Sequence, residues 1–126
     1  MTSLERAIQE VQIAVVKLKS KAPGSTLLAA FDGDLESLSN SLPAIRKAFL
    51  DAGANAKRRH GAIRSLALLK DSLEKRHAAI CSRREEYGSD FETFDQKANQ
   101  MFSILTTIVK AKREMDVISA INRNIL

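Results

Sequence analysis

The residue types that could support chemistry are concentrated between Glu74 and Cys81, in the stretch EKRHAAIC. Glu74 and His77 have the Glu-x-x-His spacing that places a carboxylate and an imidazole on one helix face, as in di-iron helical bundles. Such a site needs two of these motifs and two further glutamates on facing helices. The only other histidine of the chain is His60, so one subunit cannot supply two motifs. The sequence therefore predicts no di-iron site.

His77 and Cys81 are four residues apart, a spacing that could supply half of a zinc site. Cys81 is the only cysteine, and His60 lies about five helical turns away, so neither completes the site. The neighbouring Arg83 and Arg84 would favour a thiolate at Cys81. A lone cysteine beside an isoleucine is, however, more often a small core residue. We therefore expect no metal site and no cofactor.

Other catalytic motifs are absent from the sequence. The acidic stretch FDGDLESL resembles a calcium loop, but Gly33 stands in its second position instead of the sixth, and the downstream glutamate is missing. No glycine-rich phosphate loop is found, and no Ser-His-acid set is indicated by spacing. We therefore expect a protein that is not an enzyme.

The composition favours helices around an aliphatic core. The chain has 126 residues, of which 44% are hydrophobic and 28% charged, with only 5 Gly and 2 Pro. Straight-chain residues lose little rotamer freedom in a helix, and helix breakers are few. A chain of this length forms one domain with a single core, so we expect one domain over residues 1–126.

Apolar side chains repeat at steps of three and four residues, the pattern of helices that bury one face. Thr2 and Glu5 have the spacing of a capping box before the first helix, and Ser89 and Glu92 have it before the last. Pro43 either kinks the second helix or begins a separate short one. The predicted helices cover approximately residues 3–22, 26–41, 43–52, 56–87 and 90–125.

The last predicted helix is the longest, about 36 residues or roughly 54 Å at 1.5 Å per residue. This length exceeds the norm for globular proteins and indicates a coiled-coil-like hairpin with the third helix. No run of residues has the alternating pattern of a strand. The predicted fold is therefore all-α, an antiparallel bundle of four to five helices with a long C-terminal helical hairpin.

The N-terminal residues predict a cytoplasmic protein. Glu5 and Glu10 stand where a cleavable signal peptide would have its apolar run, and no stretch reaches the roughly 20 apolar residues of a transmembrane helix. A single cysteine fits a reducing compartment. Secretion by a route without a cleaved signal stays open.

The positive charge is concentrated in one segment. The net charge of the chain is +5, and residues 57–84 carry nine Lys or Arg and two acids, a local balance of +7. On a helical wheel, six of these cations lie on one broad side, opposite the leucines that face the core. We name this side the basic ridge; it comprises Lys57, Arg58, Arg64, Lys75, Arg76 and Arg83.

The basic ridge has two interpretations. In the first it is a solvated helix face, balanced by the acids that follow it: Glu85, Glu86, Asp90, Glu92 and Asp95. In the second it binds an anionic partner, either nucleic acid, an acidic protein or anionic lipid. Nucleic acid is not favoured, because the helix offers no side chains set to read base edges and no aromatics for stacking.

The last predicted helix carries two apolar stripes that point in different directions. The first includes Phe91, Met101 and Ile108 and then meets Lys112. The second lies about a third to a half turn further round, so the final turns face something other than the centre of the third helix. They either pack over the end of the bundle against the first helix or form a docking or self-assembly surface. In the latter case the contact residues are Met115, Ile118, Ile121 and Ile125.

The end of the chain, VKAKREMDVISAINRNIL, resembles the C-terminal helix of type III secretion needle subunits. That family shares a Val-Lys-x-x-Lys-Asp/Glu-hydrophobic-Asp run followed by isoleucines and a closing apolar residue. The resemblance covers about a seventh of the chain and implies a self-assembling secretion-apparatus subunit, although this chain is longer and lacks the helix-breaking centre of that family. The matching positions are Val109, Lys110, Arg113, Glu114, Met115 and Asp116, followed at altered spacing by Ile118, Ile121 and Leu126.

We therefore predict a non-enzymatic protein–protein interaction or assembly module, such as an adaptor, chaperone or complex subunit, whose partner is another protein or a second copy of the chain. The apolar tail residues would supply contact area. Four cations, Arg64, Lys75, Arg76 and Arg83, would supply electrostatic complementarity, which affects rate and orientation more than affinity. The alternative is a module that binds nucleic acid or an anionic membrane surface, and a more remote one is the needle-like subunit.

Overall fold

Residues of high helix propensity form five α-helices in the computed structural model, which describes residues 1–51 and 53–126. A short 3₁₀ helix (Arg84–Tyr87) follows the third α-helix, and no strand occurs in these two ranges. The all-α class is thus confirmed. The α-helices are α1 (Ser3–Lys21), α2 (Thr26–Leu50), α3 (Ala56–Cys81), α4 (Asp90–Val109) and α5 (Glu114–Asn124).

Side-chain caps begin the first three helices. The Thr2 hydroxyl accepts from the Glu5 amide (3.3 Å), as the capping-box spacing predicts. The Ser25 hydroxyl accepts from the amide of Leu28 (3.2 Å), and Asn55 caps α3 in the same way. The predicted capping box before α4 is wrong, because Ser89 has helical backbone angles and its side chain makes no capping bond. Helical angles carry its hydroxyl away from the amides that a cap satisfies.

Helix α2 continues through Pro43, so the predicted division into helices 26–41 and 43–52 is wrong. Proline removes the bond that its amide would donate to Ser39, and both residues lie on the exposed face, where water can reach the released carbonyl. Leu42 and Ile45 remain buried on either side of the proline. The predicted end of that segment, Ala52, lies outside the described residues.

The predicted helix over residues 90–125 is two helices, because α4 ends at Val109 and α5 begins at Glu114. A continuous helix would carry the inward stripe of α4 onto Lys112 and would desolvate its charge. The end dipoles also favour a break, since cations follow α4 and the first turn of α5 contains Glu114 and Asp116. Likewise the predicted helix 56–87 ends at Cys81, and Tyr87 lies in the 3₁₀ helix.

The helices enclose one hydrophobic core, in which the phenylalanines pack among aliphatic side chains. α1 packs mainly against α4, and α2 mainly against α3, while α5 contacts both α4 and α1. Thus α4 has its principal contact with α1 and not with α3, its partner in the predicted hairpin. The apolar residues that repeat at steps of three and four from Leu4 to Leu18 in α1 and from Leu28 to Leu42 in α2 are buried. Fully buried side chains at the centre include Leu18, Phe31, Leu35, Leu66, Leu73, Phe94, Met101 and Leu105.

Candidate functional site

A cleft of about 380 Å³ lies beside the connection between α4 and α5, and we name it the cationic cleft. This volume is within the usual range for ligand pockets, about 300–1,000 Å³. The first half of α3 forms one wall, and the end of α4 and the start of α5 form the other. The lining residues are Phe49, Arg59, His60, Ile63, Arg64, Ala67, Val109, Ala111, Lys112, Glu114 and Val117.

The floor of the cationic cleft is apolar. Phe49 comes from the last turn of α2, Ile63 and Ala67 are one turn apart on α3, and Val109 and Val117 come from α4 and α5. All five side chains are partly buried. The break between α4 and α5 lets helices on both sides contribute to this floor, so a single helix over residues 90–125 would not form it.

Three cations and one carboxylate border this floor. Arg59 is paired with Glu114 of α5 and donates a hydrogen bond to the Ala54 carbonyl (3.3 Å). Arg64 and Lys112 are exposed and have no ion pair within residues 1–51 and 53–126. The cleft therefore presents two cations available to an anionic group.

The basic ridge is partly balanced by an acid of α2 and by the acid that follows α2. Arg76 pairs with Asp34 of α2 (2.9 Å) and donates to the Ala30 carbonyl (3.1 Å), so that side chain is already engaged. Arg58 pairs with Asp51 (3.2 Å). Two of the acids expected to balance the ridge are paired with basic side chains, but neither pairs with a cation of the ridge. Asp90 pairs with Lys21, and Asp95 pairs with His77.

Two of the predicted electrostatic contact residues lie beyond the cationic cleft on the third helix and just after it. Lys75 and Arg83 are exposed and make no ion pair in the part of the chain that the structure describes. Neither lines the cleft, whereas Arg64 does. The structure thus brings only Arg64 of the four predicted electrostatic residues to this site.

The four apolar residues predicted to contact a partner occupy different environments. The side chain of Met115 is 79% exposed and that of Ile118 is half-buried, but Ile121 and Ile125 are fully buried in the core. Buried side chains offer no surface to a partner, so in this fold the last two complete the bundle. The segment that resembles the needle-subunit helix is itself interrupted after Val109.

A second cluster of reactive side chains lies at the other end of α3. His77 Nε2 is 2.8 Å from Asp95 Oδ1 of α4 and 3.5 Å from Cys81 Sγ, and Sγ is 3.8 Å from the same carboxylate oxygen. The imidazole is only 14% exposed. Its ring packs against Phe94 and Phe102, with centroids 5.7 and 5.3 Å away. These three side chains could hold a metal ion.

The geometry of this cluster does not suit nucleophilic catalysis. Burial, and after it the Asp95 carboxylate, raise the pKa of the Cys81 thiol against an opposing effect of Arg84. A raised pKa disfavours the thiolate, which is the nucleophile. In a catalytic triad the two imidazole nitrogens contact the nucleophile and the acid separately, whereas here His77 Nε2 is the nearer nitrogen to Cys81 and also contacts Asp95.

The sequence alone predicted neither the cationic cleft nor the contact between Asp95 and His77. Two signals pointed to the helix break that forms the cleft: the cationic run Lys110–Arg113 and the acids Glu114 and Asp116 directly after it. No local sequence pattern predicts that Asp95 contacts His77, because the two residues are 18 positions apart and lie on different helices. Only the packing of α3 on α4 brings them together.

Comparison with known proteins adds no relative from which a function could be carried over. The chain matches no family model, no curated protein and no solved structure.

Proposed function

We propose that the protein is a non-enzymatic interaction module that binds an acidic, amphipathic segment of a partner protein in the cationic cleft. The observation that carries the proposal is an apolar floor bordered by Arg64 and Lys112, two cations without ion pairs among the described residues. A partner segment with an apolar side chain between carboxylates complements both features. Burial on the floor supplies affinity, and the cations set orientation and association rate.

The extent of the positive charge supports a macromolecular partner over a small molecule. Helix α3 has 26 residues, a length of about 39 Å. Lys75 lies roughly 12 Å along the helix axis from Ala67 in the cleft, and Arg83 lies beyond the end of α3. A ligand contained in the cleft could not reach these cations, whereas a partner segment laid along α3 could contact them.

We also propose that α2 and α3 are antiparallel, so that the end of α2 lies beside the start of α3. Two ion pairs support it: Asp51–Arg58 joins the end of α2 to the start of α3, and Asp34–Arg76 joins earlier residues of α2 to later residues of α3. In this order Phe49 reaches the first half of α3, as the cleft requires.

Binding of nucleic acid or an anionic membrane surface is the alternative. It would use the same cations, and its affinity would fall steeply with salt because counterions are released. It would not need the apolar floor. Filling the floor and reversing the charge of the rim therefore distinguish the two functions.

Site-specific photocrosslinking tests the proposal. We would place benzoyl-phenylalanine at the exposed cleft position His60, or at exposed Gln9 of α1 as a control, and irradiate extracts of cells that express the protein. We expect a protein adduct at position 60 alone, attached through a segment that contains Asp or Glu beside an apolar residue. The measurement is the adduct yield by mass spectrometry.

Two further variants identify the features that the adduct needs. Arg64→Glu reverses a rim charge, and Ala67→Leu fills the floor without a charge change. We expect each to weaken binding about tenfold, or 1.4 kcal/mol, and so to lower the yield. The matched controls, Arg6→Glu and Ala29→Leu, alter exposed positions outside the cleft and should leave it unchanged. Adducts with nucleic acid or lipid, or a yield insensitive to Ala67→Leu, would contradict the proposal and support the alternative. An adduct with a second copy of the chain would show that the cleft binds the protein itself, and the proposed function would then be self-assembly.

A further inference from the structure

We propose that His77, Cys81 and Asp95 form a zinc-binding site that joins α3 to α4. The donor atoms are an imidazole nitrogen, a sulfur and a carboxylate oxygen, all within 4.8 Å of one another. Sulfur and imidazole donors favour zinc among the common divalent ions, whereas magnesium and calcium prefer oxygen ligands. The inference is independent of the cationic cleft, since none of the three residues lines it.

The separations of the donor atoms are close to those of a tetrahedral zinc site. Bonds of about 2.1 Å to nitrogen and oxygen and about 2.3 Å to sulfur require separations of about 3.6 Å from sulfur to the other donors and about 3.4 Å from nitrogen to oxygen. The sulfur lies 3.5 Å from His77 Nε2 and 3.8 Å from Asp95 Oδ1, close to the requirement. The nitrogen–oxygen separation of 2.8 Å must lengthen by about 0.6 Å.

The side chains that carry these donors are held by the surrounding fold. His77 and Cys81 are one turn apart on α3 and so project from the same face. The imidazole is held against Phe94 and Phe102, which restricts its rotation. His77 Nε2 is already 2.8 Å from Asp95 Oδ1 of α4, so the carboxylate lies beside the imidazole before an ion binds. The side chains therefore lose little conformational entropy when an ion binds.

The charges of the site balance. A zinc ion with one thiolate, one carboxylate and a neutral imidazole has no net charge, which suits side chains that are only partly exposed. Three protein ligands leave a fourth position for water. Since the ligands come from two helices, the ion would link the last turn of α3 to the first half of α4. Binding to the folded state alone then raises the stability of the protein.

Metal titration of the full-length, reduced and metal-free protein tests this site. Cobalt(II) is the probe, because a cobalt–thiolate bond gives a charge-transfer absorption in the near ultraviolet and zinc then displaces the cobalt. We expect one cobalt ion per chain with this absorption, its loss on zinc addition, and a higher Tm with zinc than with magnesium.

Variants assign the ligands. Cys81→Ser should remove the charge-transfer absorption, and His77→Gln and Asp95→Asn should each weaken zinc binding about tenfold or more, since even changes to residues around a metal ligand cost 10–100-fold. The controls His60→Gln and Asp71→Asn alter exposed positions on the same helix and should bind zinc as the wild type does. Circular dichroism verifies that each variant keeps its helices. Absence of the cobalt–thiolate absorption in the folded wild type, or equal zinc affinity in Cys81→Ser, would overturn the site and leave a hydrogen-bonded cluster only.

Discussion

At the residue scale, the Glu5 carboxylate joins the start of α1 to α2. It accepts a hydrogen bond from the Thr2 hydroxyl (3.0 Å) and pairs with Arg46. Arg46 in turn donates from Nε to the Ile125 carbonyl at the end of α5 (2.9 Å). The hydrogen bond from Thr2 lowers the pKa of Glu5, desolvation opposes it, and the charge of Arg46 lowers the pKa further.

The lowered pKa of Glu5 predicts a pH-dependent contribution to stability. The contribution is fully present above the unfolded-state pKa of about 4.5 and is lost as the pH falls through the lower folded-state value. Glu5→Gln removes the charge and keeps the shape, so we expect it to lower the Tm more at pH 7 than at pH 3. Thermal unfolding followed by circular dichroism at both pH values measures this.

Glu36→Gln is the control for this prediction, because Glu36 is an exposed carboxylate without an ion pair or side-chain hydrogen bond in the described residues. Its Tm should follow that of the wild type at both pH values. Equal effects of Glu5→Gln at pH 7 and pH 3 would show that the carboxylate charge does not stabilise the fold.

At the scale of elements, Gly88 makes the turn between the 3₁₀ helix and α4 possible. Its φ of 61° and ψ of −143° lie in a region of backbone conformation that residues with a Cβ rarely adopt. A Cβ at this position would also lie 3.2 Å from Lys21 Nζ, the end of a flexible side chain that can move. The backbone conformation is therefore the constraint at this turn.

Gly88→Ala should lower the free energy of unfolding by about 1–3 kcal/mol, the usual cost of a residue held in such a conformation. Urea unfolding measures it. Gly24→Ala provides the matched control, because a Cβ there meets no atom of the described residues within 4 Å and φ is not positive. A cost at Gly88 no greater than at Gly24 would mean that the turn relaxes to another conformation.

The connection Lys110–Arg113 illustrates how two sequence signals compete within one element. Helix propensity and the continuing apolar positions favoured one helix over residues 90–125. Two features favoured a break instead. Lys112 stands at an inward position, and the cations of residues 110–113 precede the acids Glu114 and Asp116, an order typical of one helix ending and another beginning. The structure follows the second set, and the physical reason is the cost of burying the charge of Lys112.

At the scale of the whole molecule, α5 closes the bundle. Ile121 and Ile125 are fully buried, and the end of α5 is tied to Arg46 of α2. Of the two roles predicted for the tail, packing over the end of the bundle is the one these residues have in this fold. Truncation of the tail would therefore expose the core and is unsuitable as a test of partner binding.

We expect Ile125→Ala to lower the free energy of unfolding by about 2–5 kcal/mol, the range for truncation of a buried isoleucine. Met115→Ala, at an exposed position of the same helix, should change it by less than about 0.5 kcal/mol. Urea unfolding gives both values, and size-exclusion chromatography with light scattering reports association. Loss of association without loss of stability in Ile125→Ala would show that the tail is a docking surface.

The sequence by itself determined the all-α class and most of the core. The stripes from Leu4 to Leu18 and from Leu28 to Leu42 are buried as their spacing predicts, because a period near 3.6 allows one buried face whatever the neighbours are. The concentration of charge in residues 57–84 was equally visible. These are local properties, and each can be read from a window of a few turns.

Only the tertiary structure decided which faces meet. Three features depend on contacts between residues that are distant in the sequence. They are the packing of α4 on α1, the contact of Asp95 with His77 and Cys81, and the assembly of the cationic cleft from four helices. An apolar stripe specifies that a face is buried but not against which helix, since aliphatic surfaces attract one another without direction. The break at Lys110–Arg113 then turned the tail toward the core and left the cationic cleft beside it.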